Sequence, residues 1–513
     1  MGKIKVIFIL LFALFLAGCC VDENGNVVAG DCPVPTKEVV NATFKCNEAS
    51  CNDLNVSYGT NVGIWSYKNS GTGIVDLNIS VSGIPNKEIT IVFTNEGSSQ
   101  VALPSIPIDK TLKSLKNEIS SFDEHEVFNF KEPDFMRDEP IELIEIDDKS
   151  SLRQAPSYKV WSENNTYNWK VLSDFGSTSR PSTLRKQLTI NGRVINLWVE
   201  NSEFNNSNMN TAKIDYIASY ISTIYTSVVS IAGEPWGAHK YSNIIASNQP
   251  LDIVFCRLNG AGGYFGSYNN YKTTTYSNSN EAVAIFVSTN MGYGYTLSII
   301  AHELTHASNF YQRYVLMGSN HHFNTFLDEM TAVMMEDVIA GNISYNTASS
   351  RYASWLRSPL YQRDFTDWIY LDANSYAIAA SFGSFLLRQY GIDFYKTLFK
   401  TNGSSTNVID NAIKVYDSGG LAKALRTWGA SIAMLPALTA PKGFGYPARS
   451  NDNGFNLEAF DGNAYKSYRT LPTSSPATLA PRTHFPFLRR AANGIYEELF
   501  RVPSGVSVSI VVK

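Results

Sequence analysis

The stretch IIAHELTHASNF, Ile299 to Phe310, sets two histidines four positions apart with a glutamate directly after the first. Residues four apart lie on one face of an α-helix, so the imidazoles of His302 and His306 can point at one ion. Glu303 is offset by one position and can reach a water on that ion. The spacing predicts a helix here. Leu297, Ile300, Leu304, Ser308, Tyr311 and Val315 form a mostly apolar stripe, and His302, His306, Asn309 and Arg313 form a polar one. A helix with its back in a core and its histidines in a groove suits a hydrolytic metal centre. Two core histidines satisfied by hydrogen bonds would have no use for the glutamate at that offset.

A hydrolytic zinc needs a third protein ligand and an open position for water. The extension H-E-x-x-H-x-x-G-x-x-H is excluded, because Asn309 stands at its glycine position and Gln312 at its last ligand position. The other source is a carboxylate on a following helix. NTFLDEMTAVMMEDVIAG, Asn324 to Gly341, supplies one, with Asn324 or Thr325 to cap it and Gly341 to end it. Glu329, beside Asp328 in its first turns, is the expected third ligand. Glu336 lies two turns further along the same face. It either orients His302 or His306 from behind or is a solvated helix charge. His321 and His322, just before this helix, line the groove, bind a second metal, or are loop features.

HELTH followed by FLDEMTA resembles the gluzincin arrangement. More narrowly, AHELTHASNFYQRYVLMG with FNTFLDEMTAVMMEDV resembles the hyicolysin family of secreted bacterial metallopeptidases. RKQLTINGRVINLWVE, SFGSFLLRQYG and the terminal VPSGVSVSIVVK fit the same family, so the resemblance covers roughly Arg185 to Lys513. It implies a gluzincin, thermolysin-like catalytic domain: a mixed sheet, the histidine-bearing helix and a helical lobe. It further implies Zn2+ on His302, His306 and Glu329, Glu303 as catalytic general base, and a peptide or protein substrate. Asp328 replaces the commoner Asn of gluzincins next to the ligand and belongs, with Glu336, to the shell behind it. Tyr376, in SYAIAASFGSFLLRQYG, is similar by spacing and context to the oxyanion-donating tyrosine of gluzincin aminopeptidases; the other reading is a packing tyrosine. No segment reads as a clamp for an N-terminal amine, which favours an endopeptidase. The alternatives are a zinc aminopeptidase and a catalytically idle surface lipoprotein whose zinc is closed by His321 or His322.

The remainder of the chain frames this centre. With 513 residues, 44% of them hydrophobic and 17% charged, it is a globular composition with room for two or three domains. A formal net charge of −4 gives no argument for nucleic acid or an anionic membrane surface. MGKIKVIFILLFALFLAGCC has two lysines, a short apolar run and small residues, the layout of a secretory signal. LAGC, Leu16 to Cys19, resembles a bacterial lipoprotein box, which implies a lipid on Cys19 and an envelope location outside the cytoplasm. Export permits disulfides. Cys46–Cys51 and Cys20–Cys32 are the neighbour pairings among three possible connectivities. Cys256, in the strand-like LDIVFCRL, is expected to be a buried free thiol.

The expected architecture is α+β. Residues 1–18 are a lipoprotein signal peptide and 19–35 a tether. Residues 36–156 form a β-sandwich-like region, on β-branched runs such as GIVDLNISVSGI and KEITIVFTNE. Residues 157–440 are the catalytic domain. Residues 441–513 are a small β element packed on it. The glycine-rich NGAGGYFGSYNNYKTTTYSNSN, Asn259 to Asn280, lacks the Lys-Ser/Thr of a phosphate loop. Around Gly262 to Gly266 it offers an edge that could pair with an extended peptide.

Overall fold

The computed structural model describes residues 20–21, 27–28, 38–45, 57–59, 62–85, 87–108, 140–145, 160–173, 176–357, 359–369, 372–433, 440–461, 469–491 and 493–512. The expected signal peptide, Cys19, Cys32, Cys46 and Cys51 lie outside the described residues. Of Cys20 only the backbone is described, so both expected disulfide pairings fall outside as well.

The chain is α+β. The part that carries His302 and His306 is built on a six-stranded sheet. Three strands form an antiparallel meander: β1 (Thr166–Ser173), β2 (Gly176–Ile190) and β3 (Arg193–Glu200). β4 (Leu251–Cys256) runs parallel to β3, and β6 (Val283–Ser288) parallel to β4. β5 (Gly263–Phe265) closes the edge antiparallel to β6, giving the order β5-β6-β4-β3-β2-β1. Every residue of β4 and β6 is buried, as parallel strands covered on both faces require. Cys256, at the end of β4, is a buried free thiol.

Seven α-helices occur among the described residues. α1 (Thr211–Ala232) links β3 to β4 and buries Ile214, Ile217, Ile221, Ile224, Val228 and Ile231, a stripe at helical spacing. The Asn210 side chain accepts from the Lys213 N–H at its start, and Gly233 ends it at φ 92°. After β6 come α2 (Tyr293–Asn309), α3 (Thr325–Ile343), α4 (Ala348–Arg357), α5 (Ala373–Lys400), α6 (Thr406–Lys414) and α7 (Gly420–Ala430). α2 contacts α1, α3 and the sheet, so every residue from Tyr295 to Asn309 is buried, including the stripe expected to be polar. It continues as a π-helical turn, Phe310–Met317, ended by Gly318 at φ 103°.

The strands at the two ends of the chain revise the expected division. They form one sandwich. In its larger sheet the order is 484–490, 88–95, 506–512, 62–68, 57–59, all antiparallel. In the smaller, 495–502 pairs with 75–82, which pairs with 39–45. Of the expected C-terminal element, residues 484–512 therefore supply three of the sandwich's eight described strands, while Tyr446, Phe455, Leu457 and Phe460 pack, as expected, on the helices that follow the six-stranded sheet. Ser66 and Ser509, 443 positions apart, share a hydrogen bond of 2.9 Å. Short apolar or β-branched runs mark the strands, but nothing local names a partner at that separation. Residues 140–145, expected in the N-terminal region, lie instead against the segments flanking β4 and β5: Tyr271 Oη donates to the Ile141 carbonyl (2.7 Å) and Asn243 Nδ2 to that of Glu142 (2.8 Å).

Phe93 is fully buried in the sandwich core, its ring 5.5 Å from that of Phe500 and 6.1 Å from that of Phe487. Phe93→Ala is expected to cost about 3–5 kcal/mol. Hydrogen exchange should quicken in residues 62–95 and 484–512 together. Loosening of only one of these segments would contradict a shared core.

Candidate metal centre

α2 and α3 pack side by side and bring three donors to one point. His302 Nε2 lies 3.2 Å, and His306 Nε2 3.6 Å, from Glu329 Oε2. One ligand atom from each residue falls within 4.8 Å of the others. The opposite ring nitrogens are held by carboxylates. His302 Nδ1 donates to Glu336 Oε1 (2.8 Å) and His306 Nδ1 to Asp328 Oδ2 (2.9 Å). Each bond fixes its ring with Nε2 facing the common point.

Glu336 is no solvated charge. It is 2% exposed and also accepts from Ser298 Oγ (2.9 Å), Thr347 Oγ1 (2.7 Å) and Arg351 Nη1 (2.8 Å). Asp328 accepts a second bond from Asn309 Nδ2, which also donates to Thr331 Oγ1 (2.9 Å). Arg351, Ser298 and Thr347 carried no sequence signal, because they reach Glu336 from α4, α2 and the loop between α3 and α4. Asn309 was visible only as a member of the polar stripe.

The residues fit a zinc ion. Glu303 Oε2, His306 Nε2 and Glu329 Oε2 are buried without a hydrogen-bond partner, a costly state for protein polar atoms unless something else meets them. Two imidazoles and a carboxylate are a zinc donor set, and three protein donors leave a fourth position open. His321 and His322 do not close it. His321 Nδ1 accepts from the Gly403 N–H (3.0 Å), and the His322 ring stands 5.6 Å from Tyr314 at the cleft wall. Among the described residues, only His302, His306 and Glu329 converge in this way.

The charges point the same way. Burial works against protonation of His302, but Glu329 and Glu336 outweigh it and raise it to about 9. Burial likewise opposes a charged His306, which Asp328 and Glu329 hold well above its usual range. Burial raises Glu303 to about 7. Burial also penalises Glu336, yet Arg351 and His302 lower it to about 2, and the two histidines lower Glu329 further still. The carboxylates draw positive charge into the pocket, as protons on the histidines or as a divalent cation.

Tyr376 sits in the first turn of α5 with its ring 6.3 Å from that of His302 and edge-on to Trp368 at 4.9 Å. It shares a small void with His302, Glu303, Glu336 and Arg351, and it does not line the main cleft. That cleft, about 890 Å³, opens onto Glu303, His306 and Glu329 and is walled by Phe265, Phe326 and Trp368. The edge strand β5 passes against the centre. A Cβ on Gly263 would fall 2.9 Å from Glu303 Oε1 and 2.5 Å from Ile299 Cγ2, so only glycine lets the strand lie this close.

A family model described as Peptidase M30 matches residues 176–513, and a model of a domain of unknown function matches residues 44–108. No curated protein matches the chain. Solved structures similar to it include an aminopeptidase N family protein from Idiomarina loihiensis, at 13% identity over 63% of this chain and 68% of that one, with a TM-score of 0.32. Another is an M1 zinc metallopeptidase from Deinococcus radiodurans, at 10% identity over 75% of this chain and 73% of that one, also at 0.32.

The raised His302 gives a signed expectation. Without metal, its protonated form stabilises the fold fully below its ordinary value of 6.5, and that contribution is lost as pH rises through about 9. With zinc the trend reverses, because fewer protons must be displaced as pH rises. The gain in Tm on adding zinc to chelator-stripped protein should therefore be larger at pH 9 than at pH 6.5. An equal gain at both would mean that zinc does not compete with these protons.

Proposed function

Because the chain belongs to the peptidase M30 family, we propose that it is a zinc-dependent endopeptidase centred on His302, His306 and Glu329. One observation carries this reading: two imidazole nitrogens and a carboxylate oxygen converge at the floor of an open cleft, with the partnerless carboxylate of Glu303 beside them.

Zinc at this point supplies Lewis acidity toward a peptide carbonyl and lowers the pKa of a water. Glu303 does the proton work. A carboxylate raised to about 7 can take a proton from the attacking water and return it to the leaving nitrogen near neutral pH. Asp328 and Glu336 keep the two imidazoles oriented while charge builds. Tyr376, in the void beside His302 and Glu303, is the donor assigned to the oxyanion. β5, an edge strand whose Phe265 lines the cleft, has an outer edge on which an extended peptide can pair. The open cleft, together with the absence of any segment that reads as an amine clamp, supports internal cleavage.

We also infer a location. Among the described residues no helix is long and apolar enough to cross a membrane. LAGC at Leu16 to Cys19 supports export and a lipid on Cys19, which would hold the enzyme at the bacterial envelope without a spanning helix.

The test is metal analysis with cleavage of casein and N-blocked quenched peptides. Glu303→Gln should keep its zinc and lose activity by roughly 10²- to 10⁴-fold or more. Glu329→Ala should lose zinc content. A Glu303→Gln protein that cleaves like wild type would refute the assigned base. Cleavage confined to peptides with a free amino terminus would make the enzyme an aminopeptidase. Zinc-loaded protein that cleaves nothing would make it a binding module.

A further inference from the structure

The segment from Asp364 to Trp368 forms one wall of the cleft through Thr366, Asp367 and Trp368. Its position is fixed from three directions. Arg482, in the loop leading into the sandwich strand 484–490, donates to both oxygens of Asp364 (2.9 and 2.5 Å) and to Thr366 Oγ1 (2.9 Å). Arg363 pairs with Asp372 and donates to the Asp367 carbonyl (2.6 Å). Trp368 packs against Tyr376, which in turn stands beside His302. None of these bonds uses the Asp367 carboxylate, and Asp367 is exposed. The guanidinium charges nearby are already matched by Asp364 and Asp372.

The cleft is acidic. Glu303, Asp328, Glu329 and Asp367 line it, and among the described residues no lysine or arginine does. Three of these carboxylates have other tasks. Glu329 faces the convergent point, Asp328 holds His306 and Asn309, and Glu303 faces the reacting atoms. A divalent ion offsets two of the four charges and leaves the cleft negative. Asp367 is the carboxylate left to meet a substrate side chain.

We propose that the cleft selects peptides with an arginine or lysine side chain near the scissile bond, and that Asp367 is the residue that selects it. This rests on the peptidase reading above. An acidic cleft with protein walls concentrates cationic substrate. A carboxylate carried on a fixed stretch of backbone at its edge then discriminates by position along the peptide. Arginine should be preferred to lysine, because a guanidinium meets a carboxylate through two parallel bonds. An exposed pair of this kind is worth about threefold to fivefold.

The experiment uses zinc-loaded full-length protein and N-blocked quenched peptides that differ only in carrying Arg, Lys, Leu or Glu at each position around the cleaved bond. Wild type should show its highest kcat/KM for Arg at one position and its lowest for Glu there. Asp367→Asn should lower the Arg-to-Leu ratio about threefold to fivefold, and Asp367→Lys should reverse the order of Arg and Glu. Added salt should shrink the wild-type preference. A wild type indifferent to charge, or a preference that survives Asp367→Asn, overturns the proposal. Binding of the same peptides to Glu303→Gln protein, read by fluorescence anisotropy, separates the two readings. If no peptide is cleaved but Arg peptides bind in an Asp367-dependent way, the peptidase reading falls and the selection stands. If peptides are cleaved without that dependence, the selection falls alone; if none is bound or cleaved, both fall.

Discussion

Glu303, Glu329 and Glu336 are buried with His302 and His306 where α2 meets α3, and Asp328 joins them from the cleft side. That unbalanced group is the constraint around which the rest is arranged. Buried carboxylates are tolerated only when positive charge and hydrogen bonds reach them. Arg351 brings one permanent charge, to Glu336. The two imidazoles bring the remainder only by holding protons or by sharing a cation. Glu303, with one oxygen left partnerless in that crowd, carries a basicity far from that of a surface glutamate, and this suits it to moving protons.

Holding such a group requires rigid helices, and two buried arginines serve that end. Arg388 of α5 meets Asp337 of α3 through two bonds (2.5 and 3.1 Å) and donates to the Glu458 carbonyl, so the helix that carries Glu329 is clamped to its neighbour. Arg313, in the π-helical turn after α2, is buried against backbone carbonyls. It donates to carbonyls of Phe399, Thr401 and Gly403 at the end of α5, and to that of His321. A cation at a helix C-terminus is favourable on its own account. Here it also pins the 319–323 segment that walls the cleft, so one side chain ties α2, α5 and that wall together.

What could be read from the sequence follows the range of each signal. The pair His302 and His306, the offset of Glu303, and the helix carrying Asp328, Glu329 and Glu336 are encoded within one or two turns, and the structure brings these residues together. The α+β class was legible for the same reason. Arg351 and Thr347 were not, because their meaning depends on α4 folding back onto α3. Tyr376 was placed near the centre by analogy, and it stands beside His302 yet off the main cleft, a distinction that spacing cannot express. In sequence the sandwich looks like two separate regions, because each strand's signal is local while its pairing spans the chain.

That pairing bears on what counts as the folding unit. The family match begins at residue 176 and runs to 513. Strand 506–512 lies inside this stretch, but both of its neighbours, 88–95 and 62–68, lie outside it. Strand 484–490 likewise pairs with 88–95, and 495–502 with 75–82. Cut at residue 176, the three C-terminal strands would expose apolar edges with no partner, a state that invites aggregation. The N-terminal strands are thus no optional attachment to a finished catalytic domain. Arg482, which secures the Asp364 to Trp368 wall, sits in the loop that enters strand 484–490, so the sandwich holds part of the cleft in place. A chain that lost strands 62–95 would lose the support of that loop first, while the bonds of His302, His306 and Glu329 within α2 and α3 would be left unchanged.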